Sequence, residues 1–265
     1  MKNLPLSAAL LVGSLALGGT LLSQNVPEHA PDGGTVQRIQ SIDIPTITNA
    51  PFSAVVVTEW TRIMPDGSTA LIKNHRTVAR DSVGRVFEER RYLTPDGDKQ
   101  VTLLSEMDYK DPTLHQWIMC NVSTRVCSVY THNWPTTLSQ AKPPTAAQSA
   151  ANGTKWEDLG KKVVDDIEVV GSQEVMTIPV GGIGNEKEQP VVKEFWYSPR
   201  LGINVTTKRF DPRASAVQNF YVTSISQAEP DAQLFHPPSG FRMVNMDALQ
   251  GQAQGQMQGW AAQGH

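Results

Sequence analysis

The stretch FSAVVVTEWTRIMPDGSTALIKNHRTVARD, residues 52–81, decides the fold class of this chain. Apolar and polar positions alternate in its first half, and a period of two residues is typical of a β-strand. The residues of one predicted face are Phe52, Ala54, Val56 and Trp60. The segment MPDG at 64–67 supplies turn chemistry, because proline presets φ and glycine accepts a left-handed backbone. The stretch therefore predicts a β-hairpin with two long strands.

The same rhythm of strand and turn continues along most of the chain, and helical periodicity is nearly absent. The turn chemistry recurs as TPDG at 94–97, and EPDAQLF at 229–235 predicts one short helical turn. The pattern predicts a mostly β fold, a curved antiparallel meander of about nine or ten strands with few short helices. A sheet of this size twists, so a half-barrel or barrel-like shape is expected.

The two ends of the chain differ in composition from the middle. Residues 1–23 place one lysine before an uncharged apolar run, which predicts a cleaved signal peptide and a periplasmic or secreted protein that is not an integral membrane protein once processed. We predict a flexible N-terminal linker at 24–50 and a disordered Gln/Gly-rich tail at 245–265. A single β-rich domain is expected at 51–244, with a long loop at 136–155.

The only two cysteines, Cys120 and Cys127, lie in two facing strand segments. If they pair across the strands, residues 122–125 form a four-residue turn and Asn121 faces Val126. Directly opposed positions of this kind lie within the distance that a disulfide spans. Because an exported chain meets oxidising conditions, we predict a structural disulfide here. A zinc site with His115 and His132 is disfavoured, since an offset of five strand residues flips the face and spans about 17 Å.

The composition and motifs of the chain give little indication of a catalytic, metal-binding or cofactor-binding site. The formal net charge is −3 with both signs scattered, which disfavours a nucleic-acid partner. The chain contains none of the common nucleophile, zinc-helix or phosphate-loop motifs, and VGGIGNEK at 180–187 lacks the third glycine of a dinucleotide loop. Adjacent carboxylates at Asp165 and Asp166 fit a turn better than an acid/base pair. We therefore predict no catalytic residue, no metal ligand and no cofactor, and we assign no ligand-binding residue.

Several motifs together resemble a family of secreted bacterial proteins of unknown function, of the kind found in acidobacteria. These motifs are PFSA (51–54), RTVARDSVGRVFEE (76–89), TIPVGGIGNEK (177–187), EFWYSPRLGINV (194–205), DPR (211–213) and SISQAEPDAQLFHPPSGFRMV (224–244). More distantly, the chain is similar to the LolA/LolB/RseB-type periplasmic lipoprotein carriers. That resemblance implies a strongly curved antiparallel sheet whose apolar cavity holds acyl chains, with a lipid or a lipoprotein as partner.

Three functional hypotheses follow, in order of preference. The first is a non-enzymatic binding module of the cell envelope for an apolar ligand, a lipid or a lipoprotein acyl chain. The second is a structural or interaction protein of the envelope whose β core is filled by its own side chains. The third is a hydrolase with an unrecognised site, which requires His75, His115 or His132 to converge with a carboxylate and a nucleophile. A set of exposed tryptophans would instead indicate a stacking platform, whereas core packing is their default role.

Overall fold

The computed structural model describes residues 42–96, 99–137, 154–214 and 216–252. Within them the chain forms twelve β-strands and little else. The strands are β1 Phe52–Ile63, β2 Thr69–Arg80, β3 Val86–Asp96, β4 Lys99–Asp111, β5 Gln116–Asn121, β6 Val126–Thr131, β7 Thr154–Val164, β8 Ile167–Ile178, β9 Gln189–Ser198, β10 Ile203–Asp211, β11 Ala216–Ser226 and β12 Arg242–Asn245. Two short 3₁₀ helices, Pro212–Ala214 and Ala232–Phe235, and a helix at 246–252 complete these elements.

All twelve strands belong to one open, curved sheet in which antiparallel pairing dominates. The order is β12-β6-β5-β4-β3-β2-β1-β11-β10-β9-β8-β7, so two hairpin meanders meet where β1 pairs with β11. The mostly β prediction is confirmed, but the count of nine or ten strands is wrong. Strand β12, only four residues long, joins β6 in parallel through a partner distant in the sequence, and no local pattern indicates such a pairing.

The two ends of the sheet differ, and we name them the base and the tip. The tip carries the turns β1–β2, β8–β9 and β10–β11, and the base carries the turns β2–β3, β7–β8 and β9–β10. The most deeply buried side chains lie towards the base, and they include Ile44, Phe52, Val78, Arg80 and Leu201. In β2 the burial rises along the strand from the exposed tip to three fully enclosed residues at the base. The fold is thus packed at one end and open at the other.

Residues 42–50, predicted as part of a flexible linker, lie packed against the base. Ile42, Ile44, Thr46 and Ile47 are all buried. The backbone N–H of Asn49 donates to the Ser82 carbonyl at 2.8 Å, and Thr46 Oγ1 donates to the Pro135 carbonyl at 2.8 Å. Alternating isoleucines give this segment an apolar side that the sheet covers, so the linker prediction is wrong for these residues. We call residues 42–50 the strap.

The prediction of a disordered tail at 245–265 is also wrong for its first residues. Asn245 ends β12, and residues 246–252 are helical. The Asp247 carboxylate accepts a hydrogen bond from the Thr131 N–H at 2.7 Å, which ties this helix to the end of β6. The signal peptide at 1–23, most of the predicted loop at 136–155 and the tail beyond residue 252 lie outside the described residues. Among the described residues, no helix is long and apolar enough to cross a membrane.

The cysteines form the predicted disulfide at the centre of a small second core. Cys120 lies opposite Cys127 and Asn121 opposite Val126, so the predicted register is confirmed. The Cα atoms are 3.9 Å apart and both residues are fully buried. The second core packs the pair with Ala79, Phe87, Met107, Tyr109 and Phe235. Phe235 belongs to the predicted helical turn, which therefore closes this part of the sheet.

Reducing the disulfide is expected to lower the free energy of unfolding by about 2.5 kcal/mol, since the bond closes a loop of about eight residues in the unfolded chain. Urea unfolding with and without a phosphine reductant measures this difference. The double substitution Cys120→Ala with Cys127→Ala serves as the control, because reductant leaves its unfolding curve unchanged. An unaltered curve for the wild-type protein under full reduction would contradict the prediction.

Candidate ligand groove

An open groove of about 420 Å³ lies between the β7–β8 turn and the strands β10 and β11. Its lining residues are Lys162, Val164, Asp165, Thr206, Lys208, Asn219, Tyr221, Val222 and Thr223. Strands β8 and β9 separate β7 from β10, so a flat sheet would hold them about 14 Å apart. The shared groove therefore results from the curl of the sheet, which brings the β7–β8 turn over β10 and β11. We call the side of the sheet that bears Tyr221 and Lys208 the groove face.

The curl depends on one aromatic side chain and one glycine. Trp196 in β9 lies opposite Gly171 in β8, and a Cβ atom at Gly171 would approach the indole ring to 2.6 Å. Glycine thus leaves space for the ring to lie across β8. The Lys162 ammonium then lies 3.5 Å from the centre of the Trp196 ring, a cation–π contact that links β7 to β9. Bulges at Asp158/Gly160 in β7 and Asn204/Thr206 in β10 add local bends on either side.

Polar side chains border the groove in two connected groups of three. Tyr221 Oη donates to Glu59 Oε1 at 2.8 Å, and Lys73 Nζ lies 2.8 Å from the same oxygen. Hydrogen bonds from Lys73 and Tyr221 hold the pKa of Glu59 below its usual value, although burial acts in the opposite direction. Trp196 Nε1 donates to Glu194 at 2.6 Å, and Lys208 Nζ lies 3.6 Å from that carboxylate. The groove is therefore lined by the Tyr221 ring, Val164 and short polar side chains, and the carboxylates of Glu59 and Glu194 beside it are paired with lysines.

A buried charged cluster occupies the other side of the sheet, beneath the strap. Glu88 in β3 accepts hydrogen bonds from Lys110 at 2.7 Å and from Arg76. Burial raises the pKa of Glu88, but the attraction of Lys110 and Arg76 outweighs it and holds the pKa below the usual value. Arg76 also donates to the Ile42 carbonyl, and Lys110 lies 3.4 Å from the Ile44 carbonyl. The cluster thus joins β2, β3 and β4 to the strap.

Arg80 closes the base, and among the described residues it has no carboxylate partner. Its guanidinium donates to the carbonyls of Ala50 at 2.8 and 2.9 Å, of Pro45 at 2.9 Å and of Leu201 at 2.6 Å. The residue is fully buried, and burial lowers its pKa to about 10, so it stays charged at neutral pH. The planar fork of an arginine suits three carbonyls from two separate segments. Arg80 therefore fastens the strap and the β9–β10 turn to β2.

The three histidines that the hydrolase hypothesis considers do not all lie at one place in the fold. His115 and His132 are neighbours, since the His132 N–H donates to the His115 carbonyl at 2.8 Å. His75 lies in β2, which β3 and β4 separate from β5. Among the described residues, no group of three His, Cys, Asp or Glu side chains could hold a metal ion. Asp165 and Asp166 form the two-residue β7–β8 turn with φ of 46° and 61°, so the turn interpretation is confirmed.

Four aromatic rings form a cluster at the base end of β5 and β6. Trp117 lies 5.5 Å from Tyr130 and 6.2 Å from Trp134, and the His132 ring lies 3.9 Å from Trp134 with the two planes tilted by 44°. Lys110 caps Trp134 at 5.4 Å from the ring centre. His132 is exposed and the other three rings are only half-buried, so this cluster lies near the surface and the default of core packing does not hold for Trp117 and Trp134.

Sequence reasoning missed the groove residues, the Glu88 cluster and Arg80. One local signal for Arg80 was present, because its charge follows Val78 and Ala79 in a stretch that is otherwise buried. Charges on alternate positions of β4, at Glu106, Asp108 and Lys110, likewise indicated a face that needs counter-ions. The groove left no local signal, since its walls come from strands far apart in the chain.

No protein-family model and no curated protein matches the chain. Solved structures of similar fold include the MucA/MucB complex of Pseudomonas aeruginosa, at 13% identity and a TM-score of 0.36 over 74% of this chain and 58% of that one. An uncharacterised conserved protein of Thermus thermophilus matches at 10% identity and a TM-score of 0.38, over 74% of this chain and 90% of that one. The lipoprotein LppX of Mycobacterium tuberculosis matches at 12% identity and a TM-score of 0.25, over 67% and 88%.

The chain spans less than two thirds of the MucB chains that it matches, 61% in the structure of MucB alone. These likenesses agree, at the level of fold, with the distant resemblance to the LolA/LolB/RseB-type carriers. The TM-scores of these structures are below 0.5, so the likenesses do not indicate what the groove binds.

Proposed function

We propose that this chain is a non-enzymatic binding module of the cell envelope whose groove holds the acyl chain of a lipid or a lipoprotein. The observation that carries the proposal is the open groove between the β7–β8 turn and β10–β11. Its volume of about 420 Å³ falls within the range of small-molecule sites, about 300–1,000 Å³. The curl of the sheet forms this space without any contribution from another chain.

The lining selects an amphipathic ligand. Val164 and the ring of Tyr221 give apolar contact, while Lys162 and Lys208 place ammonium groups at the edges. Apolar surface buried against a chain of methylene groups gains about 0.8 kcal/mol for each CH₂. The lysines suit a carboxylate or phosphate at the end of such a chain. A fatty acyl group with an anionic head matches both features.

A compartment outside the cytoplasm agrees with the disulfide, because disulfides persist in oxidising environments. We place the protein in the periplasm or among secreted proteins, as the N-terminal segment predicts. There the groove would meet lipids of the envelope.

Substituting Thr206→Trp is expected to weaken binding of a dansylated undecanoic acid by about tenfold or more, because the indole would fill the groove. Thr131→Trp is the matched control, since Thr131 is an exposed strand residue of β6, far from the groove. Fluorescence titration measures both affinities, and mass spectrometry of organic extracts of the native protein identifies a resident lipid. Absence of probe binding by the wild-type protein, or equal binding by both variants, would overturn the proposal in favour of a purely structural or interaction role.

A further inference from the structure

Exposed apolar side chains concentrate at the tip of the sheet. Most of the large hydrophobic residues that are exposed in the described part of the chain lie there: Ile63, Met64, Leu71, Tyr92, Leu103, Trp156, Val180, Ile183, Phe210 and Val217. They come from four different hairpins and from β7, whose turns or starts the antiparallel topology brings to the same end. A group of exposed apolar side chains at one end of a sheet is typical of a site of protein or membrane contact.

Three of these residues, Leu71, Val217 and Phe210, lie in one row on the groove face, which Thr61 and the half-buried Val192 complete. Leu71, Thr61, Val217 and Phe210 are successive cross-strand neighbours on β2, β1, β11 and β10, and Val192 of β9 continues the row. Leu71 is 55% exposed, Phe210 40% and Val217 39%. With adjacent strands about 4.8 Å apart, the row is about 19 Å long. We call these five residues the tip row.

A line of two lysines and two glutamates lies next to the tip row, one pair of residues further from the tip. Lys73 and Lys208 are in this line, and their side chains are 57% and 52% exposed. The partner carboxylates, Glu59 and Glu194, are each only 23% exposed. The cationic groups therefore extend further outward than the anionic ones. An apolar edge bordered by outward lysines complements a lipid surface, with acyl carbons against the row and phosphates against the ammonium groups.

We propose that the tip row is a membrane-contact surface that docks on an anionic phospholipid bilayer. The row also borders the groove, because Phe210 and Val217 lie one pair beyond Lys208 and Asn219. This position would let a ligand pass between the groove and the bilayer along β10 and β11. Docking itself does not require the groove to bind a lipid. Membrane docking by the tip row and acyl-chain binding in the groove can therefore be tested independently.

Flotation with vesicles of phosphatidylethanolamine and phosphatidylglycerol, in a ratio of three to one, tests the proposal. The variant with Leu71→Ser and Phe210→Ser is expected to lose about tenfold or more in vesicle affinity, because two large apolar side chains no longer enter the lipid. Its matched control carries Val83→Ser and Leu114→Ser, residues in turns at the base that are 50% and 63% exposed. Dansyl-undecanoate titration and urea unfolding check that the groove and the fold are intact in both variants.

Vesicle binding by the wild-type protein and the control, with loss only in the tip variant, would support membrane docking. Lack of vesicle binding by the wild-type protein, or equal loss in both variants, would overturn it. Self-association that depends on Leu71 and Phe210 without any vesicle binding would also overturn it and assign the tip row to a second copy of the chain. Failure of dansyl-undecanoate binding, with flotation as expected, would count against the groove alone.

Discussion

Replacing Arg80 by methionine is expected to lower the free energy of unfolding by about 3–5 kcal/mol. The substitution leaves the carbonyls of Pro45, Ala50 and Leu201 without their donor at a buried site. Each charge-assisted hydrogen bond contributes about 1.5–3 kcal/mol, and the relief of a buried charge offsets part of that sum. Loss of the hydrogen bonds to Pro45 and Ala50 should also weaken the attachment of the strap to β2. Amide hydrogen exchange in residues 42–50 is therefore expected to accelerate. Urea unfolding gives the free energy, and mass-detected exchange locates the change.

Two further substitutions sharpen this test. Arg80→Lys keeps the charge but cannot span three carbonyls, so an intermediate loss is expected. Arg200→Met is the matched control, because Arg200 is exposed in the same turn that presents the Leu201 carbonyl, and a change within about 0.5 kcal/mol is expected. An Arg80→Met protein as stable as the wild type would show that the strap is not held through this guanidinium.

The second large effect is expected at Glu88. Glu88→Gln leaves Arg76 and Lys110 facing each other without their shared counter-ion in a mostly buried site. Removing one partner from a buried ionic cluster costs about 3–5 kcal/mol, and this loss is expected at neutral pH. Glu168→Gln is the control, since its ion pair with Lys161 is more than 60% exposed on both sides and contributes less than about 1 kcal/mol.

The pH dependence of the Glu88 effect distinguishes an ionic role from a loss of shape. Because the pKa of Glu88 is lower in the folded protein than its usual value of 4.5, the carboxylate stabilises the fold fully above that value. The contribution is lost as the pH falls through the lower, folded-state pKa. The difference between wild type and Glu88→Gln should therefore shrink below pH 4.5. A difference that stays constant down to acidic pH would contradict the ionic interpretation.

The local parts of the fold follow from short-range chemistry. Alternation along residues 52–81 placed β1 and β2 correctly, and the cysteine register followed from the length of the four-residue turn between them. The Asp165–Asp166 turn needed only the tolerance of aspartate for positive φ. In each case the partners that fix the structure lie within a few residues, so the sequence displays the interaction directly.

The groove and the buried contacts of Arg80 could not be predicted in this way. The groove needs Lys162 of β7 to reach Trp196 of β9 and the β7–β8 turn to lean over Tyr221 of β11. The role of Arg80 depends on the strap and the β9–β10 turn, which bring three carbonyls to its guanidinium. The residues next to Arg80 in the sequence do not indicate these partners. The strap falls within residues 24–50, whose three prolines and polar residues predict a flexible linker and outweigh the isoleucines of the strap.

The sequence by itself determined that this protein is a set of antiparallel hairpins with one covalent cross-link, because turn residues, alternation and the cysteine spacing act over short distances. Only the tertiary structure decided that β1 pairs with β11, which side of the sheet is packed, and where a groove and an apolar tip remain open. Those features depend on twist and curl summed over twelve strands and on contacts between residues more than a hundred positions apart, such as Arg80 and Leu201.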